Sequence, residues 1–367
     1  MKALRDGDVH AVSVAVTQNY LQDLILGYKF KLSRLIAYVV AIAISLLLSF
    51  CVSQSNFHNR ADNDLPAYEN FYYCLKVESV DTCRLLISSN YEYAFYWLFG
   101  LISFTGLSFS LFLFLLSFLI YSMLLFFVIR LSSKSFNLFL FSLLFLLVDF
   151  RFYDYGFNIL RHGFASVMMM FATLFYILNS SKFRYAFLFS PVFFHLSAVA
   201  QLVLILRTKL LYSRVFWFFL ILILYLLGQY LPNVLSHLSG LDYVGDKLSY
   251  YIEGHRNQDW LPLQYMLVLV LSLLFDIKNS TYLIVRQVFL VLVAISMVFI
   301  STGMSYRFIA FSMPFAAILI TYHISYFIDL FDRRNRFLIL LGLSMCFTLY
   351  AVLYFYKYNE FILGGLI

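Results

Sequence analysis

Charged residues are scarce in this chain, and their scarcity excludes an ordinary soluble domain. Asp, Glu, Lys and Arg make up 12% of the residues, hydrophobic residues make up 63%, and the mean hydropathy is +0.85. The apolar residues form continuous runs long enough for helices to cross a bilayer, and they do not alternate as in a membrane β-barrel. Because backbone amides in lipid must be satisfied within each segment, the sequence predicts an all-α, polytopic transmembrane helical bundle.

The sequence also lacks the short motifs of cofactor-dependent soluble enzymes. It has no Walker loop, no dinucleotide-binding glycine fingerprint, no HExxH and no paired CxxC motif. Neither ATP, NAD nor structural zinc is therefore expected, and no cofactor is predicted. Linkers and low-complexity tracts are not evident either, which predicts one integral membrane domain over residues 1–367.

Positive charge exceeds negative charge, giving a formal net charge of +7. In a soluble protein this excess would suggest a nucleic-acid partner, but here Lys and Arg cluster in the short connections between apolar runs. This is the positive-inside pattern, so no nucleic acid is expected to bind, and the connections near residues 29–34, 130–134, 182–184, 207–214 and 333–336 are expected to face the cytoplasm. No cleavable signal peptide is evident, because the first apolar run starts near Leu35.

The apolar runs predict about ten membrane spans and two external loops, at about 53–105 and 232–261. The spans include residues 35–52, 106–129, 137–148, 160–178, 215–231, 262–275, 282–300, 306–322 and 337–356. The stretch "YEYAFYWLFGLIS" is typical of a helix that lies along or enters the interface. Cys74 and Cys83 fall in the first loop, where they form either a small disulfide or two free thiols. Cys51 and Cys346 lie in apolar runs and are expected to be packing residues.

The stretch "YAFLFSPVFFHLSAVAQLVLIL" is compatible with a single span or with a broken pair hinged at Pro191. A single crossing would put Arg207, Lys209 and Arg214 outside and would reverse every later segment. A bent or re-entrant pair keeps these residues inside, with His195 near its tip. The charge pattern therefore favours the bent pair.

Arg161, His195 and Arg307 are ionisable residues that lie inside or just within apolar runs. A charge at mid-bilayer costs about 2.5–3.5 kcal/mol on insertion scales, so such residues are functional candidates. The two arginines could instead snorkel to the interface, and His195 could be a structural residue whose hydrogen bonds are made within the protein. Two arginines at one depth on separate helices indicate a pocket for an anion, and planar guanidinium donors suit the phosphate oxygens of a lipid-linked pyrophosphate.

Polar and aromatic side chains in the two external loops are compatible with sugar binding, although a solvated interfacial helix would show the same mixture. The first loop supplies Asp62, Asp64 and Tyr68, and the second includes Tyr250 and Arg256. The two aspartates could hold a divalent ion. Further ligands are not evident nearby, and the two arginines already supply compensating charge, so no metal is predicted.

Residues 158–202 combine an Asn-x-x-Arg motif at the start of a helix, a short basic turn and an aromatic-His-x-Ser-Ala motif. The residues that carry these motifs are Asn158, Arg161, Lys182, Phe194, His195, Ser197 and Ala198. Together they resemble the central signature of the EpsG-like branch of the O-antigen polymerase (Wzy) family. Members often carry Gln after the signature arginine, where this chain has His162. His162 is therefore a weaker candidate for the site than Arg161.

Three further stretches resemble other elements of the same family, in the family's order. "DLPAYENF" is similar to its Asp-x-x-x-Tyr element, at Asp64 and Tyr68. "YEYAFYWLF" is similar to its acidic, aromatic stretch, at Glu92, and "SYRFIAFSMPF" to its late Arg-bearing helix, at Arg307. Each stretch is short, and their joint occurrence carries the resemblance.

The resemblance implies polymerisation of surface polysaccharide at the periplasmic face of a bacterial inner membrane, on a fold like that of GT-C membrane glycosyltransferases. A growing glycan would leave undecaprenyl pyrophosphate and join the non-reducing end of a new lipid-linked repeat unit. The implied partners are the undecaprenyl-pyrophosphate-linked donor and acceptor and the lipid bilayer. A chain-length regulator is compatible with this activity as a further partner.

Roles for individual residues follow from this chemistry. His195 is the leading general base and Asp64 the second, while Arg161 stabilises the departing pyrophosphate together with Arg307. The expected substrate-binding residues are Arg307, Asn158, His162, Tyr68, Glu92, Tyr250 and Arg256. A flippase of lipid-linked oligosaccharides and a membrane acyltransferase remain alternatives. Two large external loops without matching cytoplasmic loops favour an enzyme that works at one face.

Overall fold

The computed structural model of the protein describes residues 34–55, 64–83, 93–132, 136–179, 181–206, 209–238, 261–331, 338–346, 348–350 and 352–353. All regular elements within these ranges are helices, and none of the described residues forms a strand. The structure therefore confirms the predicted all-α class.

Thirteen α-helices can be followed in the described parts of the chain up to residue 331. They are α1 (Arg34–Gln54), α2 (Leu65–Cys74), α3 (Val80–Cys83), α4 (Tyr93–Ser103), α5 (Phe109–Leu131), α6 (Phe136–Val148), α7 (Phe150–Phe157), α8 (Leu160–Leu178), α9 (Phe183–Phe187), α10 (Arg214–Leu238), α11 (Leu263–Leu274), α12 (Ser280–Val298) and α13 (Met304–Asp329). Three 3-10 segments, Ser190–Phe193, Leu196–Ile205 and Lys209–Tyr212, lie between α9 and α10. The described residues from 338 to 353 are also helical.

Six of these helices are long and apolar enough to cross a membrane, namely α1, α5, α8, α10, α12 and α13. The predicted count of about ten spans is not confirmed. With 13 and 12 residues, α6 and α11 extend only about 18–20 Å at 1.5 Å per residue, against a hydrocarbon core of about 30 Å. An apolar run in the sequence does not show whether its helix continues across the core, so the count of about ten stays a prediction.

Helix α13 forms the centre of the bundle. In the most apolar stretch of 18 residues of α13, 89% of the residues are buried. The corresponding share is 33% in α1 and 17% in α10. Helix α13 packs against α12, α6, α11, α5, α8 and α7. The large apolar side chains left exposed on α1 and α10 are those that a bilayer would cover. The core of this protein is therefore built around α13, and α1 and α10 lie at its periphery.

A proline inside α13 fixes how α7 packs against it. Pro314 has no N–H, so the carbonyl of Ala310 loses its usual partner one turn later in the helix. The hydroxyl of Tyr155 in α7 donates to this carbonyl at 2.5 Å, and Ser166 of α8 donates to the same hydroxyl at 2.8 Å. Three helices that border the candidate site are thus joined by one buried chain of hydrogen bonds.

The chain after α8 turns back along that helix and then reverses, with His195 at the turning point. Phe194 packs against Phe164 near the start of α8, with ring centroids 4.8 Å apart. Ten residues later the carbonyl of Leu204 accepts a hydrogen bond from Tyr176, near the end of α8, at 3.1 Å. The segment therefore starts and finishes beside the same end of α8, which agrees with the predicted bent pair and not with a single crossing.

The predicted first external loop, at about 53–105, is largely helical where it is described. It contains α2, α3 and α4, and a disulfide between Cys74 and Cys83 joins the end of α2 to the end of α3. Phe71 of α2 packs against Phe99 of α4, with ring centroids 5.8 Å apart. α4 coincides with the helix expected along or entering the interface, and its Trp97 and Leu101 are exposed. The location of this region outside the membrane stays a prediction.

Candidate active site

Arg161 lies in the first turn of α8, where α2 and α4 approach the bundle. Its Nε donates to the hydroxyl of Tyr68 at 2.8 Å, and its Nη1 donates to the hydroxyl of Tyr96 at 3.2 Å. Both tyrosines are 1% exposed, while Arg161 itself is half-buried. Its guanidinium is therefore held by buried hydroxyls of the protein, which differs from the solvent-directed arrangement that snorkelling requires.

Asn158 connects α7, α8 and α2. Its backbone N–H donates to the carbonyl of Asp154 at 3.0 Å, and its Oδ1 accepts the backbone N–H of Asp64 at 2.9 Å. Asn158 is buried, but Asp64 is exposed, and the Asp64 side chain does not cap α2 although it occupies the N-cap position. The structure thus brings Asp64 to the edge of the site through its backbone and leaves its carboxylate at the surface.

His162 and His195 face each other in the interior of the site. Their ring centroids are 4.0 Å apart with the planes at 61°, and the ring of Phe311 lies 4.4 Å from His162 and 5.4 Å from His195. The two histidines are 3% and 4% exposed. They come from α8 and from the tip of the bent pair, so the pairing exists only because the chain folds back along α8. Gly163 permits the close packing of α7, because a Cβ there would lie 2.9 Å from the carbonyl of Tyr155.

Arg307 joins the site from the first turn of α13, where it is half-buried. The charges of Arg161 and Arg307 both act on the imidazoles of His162 and His195, and His162 also hydrogen-bonds to the backbone of Arg307. Two guanidinium groups from separate helices are therefore close to one pair of buried rings. This places all four residues at the same end of the bundle.

The two histidines differ in their hydrogen bonds. Nδ1 of His195 accepts the backbone N–H of Ser197 at 3.2 Å, so a neutral His195 carries its proton on Nε2 and can donate from there. Nε2 of His162 is buried and has no hydrogen-bond partner among the described residues. His195 therefore offers an N–H donor, and His162 offers a ring nitrogen that has no hydrogen-bond partner in the described structure, which we call its open Nε2.

A second group of buried polar residues adjoins the site and is not among the candidate residues that the sequence indicates. Asp149, Arg151 and Asp154 are 0%, 1% and 1% exposed and lie in or just before α7. Arg151 Nη1 lies 3.2 Å from Asp149 Oδ1, and the hydroxyl of Tyr306 donates to Asp154. The sequence "DFRFYDYGF" gives no clear signal of this burial, because charged and aromatic residues at the end of an apolar run fit a buried helix and a solvated turn equally.

The remaining predicted site residues cannot be placed. Glu92, Tyr250 and Arg256 lie outside the described residues, as does Asp62. Within the described part of the chain, no three His, Cys, Asp or Glu side chains are grouped so that they could hold a metal ion. The absence of a metal and the roles of the substrate-binding residues stay predictions.

The arrangement is suited to binding an anion. Guanidinium groups provide planar, permanently charged donors for phosphate oxygens, and a neutral His195 adds a further N–H donor. His162 places an open ring nitrogen beside them. Tyr68 and Tyr96 fix the orientation of one arginine before any ligand binds. Such a site can hold an oxyanion and can exchange one proton with a bound molecule.

Comparison with known proteins gives one match. No curated protein and no solved structure matches this chain, so the expected resemblance to GT-C transferases stays a prediction. The model of the EpsG family, whose members are relatives of Wzy-type glycan polymerases, matches residues 35–363. All residues of the site described above lie within that range. Because the match covers nearly the whole chain, this protein belongs to the EpsG family.

Proposed function

We propose that this protein polymerises a surface polysaccharide by joining undecaprenyl-pyrophosphate-linked repeat units at the periplasmic face of the bacterial inner membrane. The observation that carries the proposal is the convergence of Arg161, Arg307, His162 and His195 at one end of the bundle. Membership of the EpsG family supports a glycan polymerase-type membrane protein. The lipid-linked substrates and the orientation in the membrane are parts of the proposal.

In the proposed transfer, a hydroxyl of the acceptor unit attacks the anomeric carbon of the donor glycan. The bond from that carbon to the pyrophosphate oxygen breaks, and its electron pair leaves with the lipid pyrophosphate. Arg161 and Arg307 stabilise the negative charge that develops on this leaving group. Because Arg161 is already oriented by Tyr68 and Tyr96, little reorganisation is needed when the charge appears.

The proton of the attacking hydroxyl needs a base, and we assign this role to His162. Its Nε2 has no hydrogen-bond partner in the described part of the chain and lies inside the site. His195, the leading base from the sequence, has its Nδ1 engaged by Ser197 and suits a donor role toward a phosphate oxygen. Asp64 is exposed at the edge of the site, which fits contact with an incoming sugar better than proton transfer at the reacting carbon.

Deletion of the gene followed by gel analysis of the surface glycan tests the function. A polymerase defect removes long chains and leaves a single capped repeat unit. A flippase defect removes both, and loss of a membrane acyltransferase leaves chain length unchanged and alters the acyl content. The deletion is made in a strain without a second polymerase gene, where retention of full-length chains would rule out the proposal.

Purified protein supplied with lipid-linked repeat units alone should polymerise them in the presence of a strong chelator. The reason is that two arginines supply the charge that a divalent ion provides in many pyrophosphate-using transferases. Product length on a gel is the measurement, with untreated enzyme as the control. Activity that disappears with chelator and returns on addition of magnesium or manganese would contradict this prediction and would make Asp62 and Asp64 candidate ligands.

A further inference from the structure

A second buried polar group lies at the end of the bundle opposite the candidate active site. We call it the Arg286 cluster, and it consists of Ser272, Tyr282, Arg286 and His323. Arg286 lies in the second turn of α12, and His323 lies near the end of α13. At 1.5 Å per residue, the part of α13 between Arg307 and His323 extends about 24 Å. The Arg286 cluster is therefore separate from the site that contains Arg307.

The four side chains of the Arg286 cluster contact one another through Tyr282. The guanidinium of Arg286 lies 5.7 Å from the centre of the Tyr282 ring, and the His323 ring lies 5.5 Å from it in an edge-on arrangement. Nε2 of His323 and Oγ of Ser272 are 3.1 Å apart. The charge of Arg286 also acts on the His323 imidazole. The cluster is thus one continuous polar region between α11, α12 and α13.

Most of the hydrogen-bonding capacity of Arg286 is unused. The side chain is 1% exposed, and its Nη2 donates to the carbonyl of Tyr212 at 2.9 Å. Its Nε and Nη1, and Nδ1 of His323, have no hydrogen-bond partner in the described ranges. No carboxylate among the described residues forms an ion pair with Arg286. A buried cation with open donors is unfavourable unless an anion or another acceptor completes it.

A second arginine, Arg214, lies near the Arg286 cluster, next to the protein surface. Arg214 donates from Nη1 to the carbonyl of Leu274 at 2.6 Å, and its charge acts on Tyr282. Tyr212 and Leu274 are 44% and 63% exposed. The carbonyl that accepts from Arg286 therefore belongs to a residue at the protein surface.

We propose that the Arg286 cluster is a phosphate-binding site at the opposite end of the bundle from the candidate active site, with Nε and Nη1 of Arg286 as the ligand-binding donors. A phosphate group fits because its oxygens accept the two adjacent N–H groups of a guanidinium together. The phosphate can belong to an anionic phospholipid of the adjacent leaflet or to a soluble phosphate compound. This inference does not depend on the proposed polymerase activity.

The test measures ligand binding by purified protein in nanodiscs, without any activity assay. One arm compares nanodiscs of phosphatidylcholine with nanodiscs that also contain phosphatidylglycerol, by native mass spectrometry of retained lipid and by thermal unfolding. The other arm adds inorganic pyrophosphate to protein in phosphatidylcholine alone. We expect a higher Tm in at least one arm, because a ligand that binds the folded state stabilises it. Stabilisation only by phosphatidylglycerol indicates a lipid, and stabilisation by pyrophosphate indicates a soluble compound.

Arg286→Gln should weaken the affinity about tenfold or more, because it removes two charge-assisted hydrogen bonds. Lys278→Gln is the matched control: Lys278 is exposed at the same end and its loss changes the net charge equally, so binding should persist. If Arg286→Gln does not fold, His323→Asn, which alters a neighbour of the same ligand position, takes its place. Absence of stabilisation in both arms for the unaltered protein overturns the proposal, as does equal weakening by Arg286→Gln and Lys278→Gln.

Discussion

Arg151 and Arg286 are equally buried, at 1% exposure each, but their partners differ in charge. Arg151 lies 3.2 Å from the carboxylate of Asp149 and packs against the Phe150 ring at 4.6 Å. Arg286 contacts the carbonyl of Tyr212 and the ring of Tyr282. Burial alone therefore does not separate a structural arginine from a ligand-binding one. A carboxylate partner indicates a structural role, whereas neutral partners and open donors indicate a place for an external anion.

The same criterion distinguishes the Asp149 region from the candidate active site, although the two regions adjoin. Asp149 accepts hydrogen bonds from Arg151, from Gln264 at 2.6 Å and from Tyr265. In the active site, His162 retains an open Nε2 in the described structure. We expect substitutions in the Asp149 region to affect mainly folding and substitutions in the active site to affect mainly catalysis. The predictions below test this division.

The largest effect is expected for Asp149→Asn. This change removes the negative charge that compensates Arg151 and disturbs the bonds from Gln264 and Tyr265. Loss of one partner of a buried ion pair typically costs about 3–5 kcal/mol of the free energy of unfolding. Denaturant unfolding in detergent measures it. Arg286→Gln, studied without phosphate or anionic lipid, should cost clearly less, because no carboxylate is left unpaired. Equal losses would invalidate the comparison between the two arginines.

The next largest effect is expected for Arg161→Lys and Arg307→Lys, each of which should lower the polymerisation rate about 100-fold or more. An ammonium keeps the charge but cannot reproduce the planar pair of donors that stabilises the leaving pyrophosphate. Thermal unfolding should show that both variants are folded. Arg184→Lys is the control, because Arg184 contacts only Asn179, Tyr176 and Tyr185 in the described structure. Unchanged rates in both active-site variants would mean that these arginines do not bind the leaving group.

His162→Gln installs the residue that family members often carry at this position. If this protein differs from them by using the imidazole as its base, the change should lower kcat about 100-fold with little change in KM, because glutamine fills a similar space but cannot accept a proton in the reaction. Steady-state kinetics with lipid-linked repeat units separate the two constants. Met168→Leu, which changes side-chain shape elsewhere on α8 at nearly constant volume, serves as the control for packing effects. A fall in affinity without a fall in kcat would assign His162 to binding and return His195 to the role of base.

The smallest effect is expected for Tyr68→Phe, which removes the hydroxyl that accepts from Arg161 Nε. The loss of one such bond corresponds to about 0.5–1.5 kcal/mol, or a fall of several-fold to about tenfold in kcat/KM. Tyr72→Phe on the same helix removes a bond to the carbonyl of Leu107, at 3.0 Å, without touching Arg161. Both variants should lose similar stability, and only Tyr68→Phe should lose activity. Equal activity in both would show that Arg161 needs no orientation by Tyr68.

The sequence predicts much of the fold where hydrophobicity alone determines the structure. The span at 160–178 agrees with the observed Leu160–Leu178, and the charge pattern correctly indicates that the segment around His195 bends back. The sequence also indicates α4 as an interfacial helix. The helices α2 and α3 and the burial of α7 escape such reasoning, because charged and aromatic residues near the end of a span look alike whether water or protein surrounds them. Only the packing of α13 and α11 against α7 shows that Asp149 and Asp154 are interior.

The same limit applies to the candidate site. Arg161, His195 and Arg307 stand out as charged or polar groups in apolar runs, and the structure brings them together. His162 ranked lower because it departs from the family pattern, yet it occupies the centre of the group. The position of its open Nε2 depends on how α8 packs against α13 and the bent pair. No single stretch of sequence gives this packing. Arg286 also lies inside an apolar run, so the sequence carries the same signal for it, and its partners in space indicate what it binds.

The hydrogen bond from Tyr155 to Ala310 has a consequence for movement during the reaction cycle. Any axial sliding of α13 past α7 would leave the carbonyl freed by Pro314 unpaired in a dry interior, so α7 and α13 should move as one rigid body. Arg307, one turn before Ala310, moves with this body. A polymerase must let a lengthening product advance after each addition. We therefore expect the required opening to occur in the bent pair or in α2–α4, while the frame that carries Arg307 remains stationary.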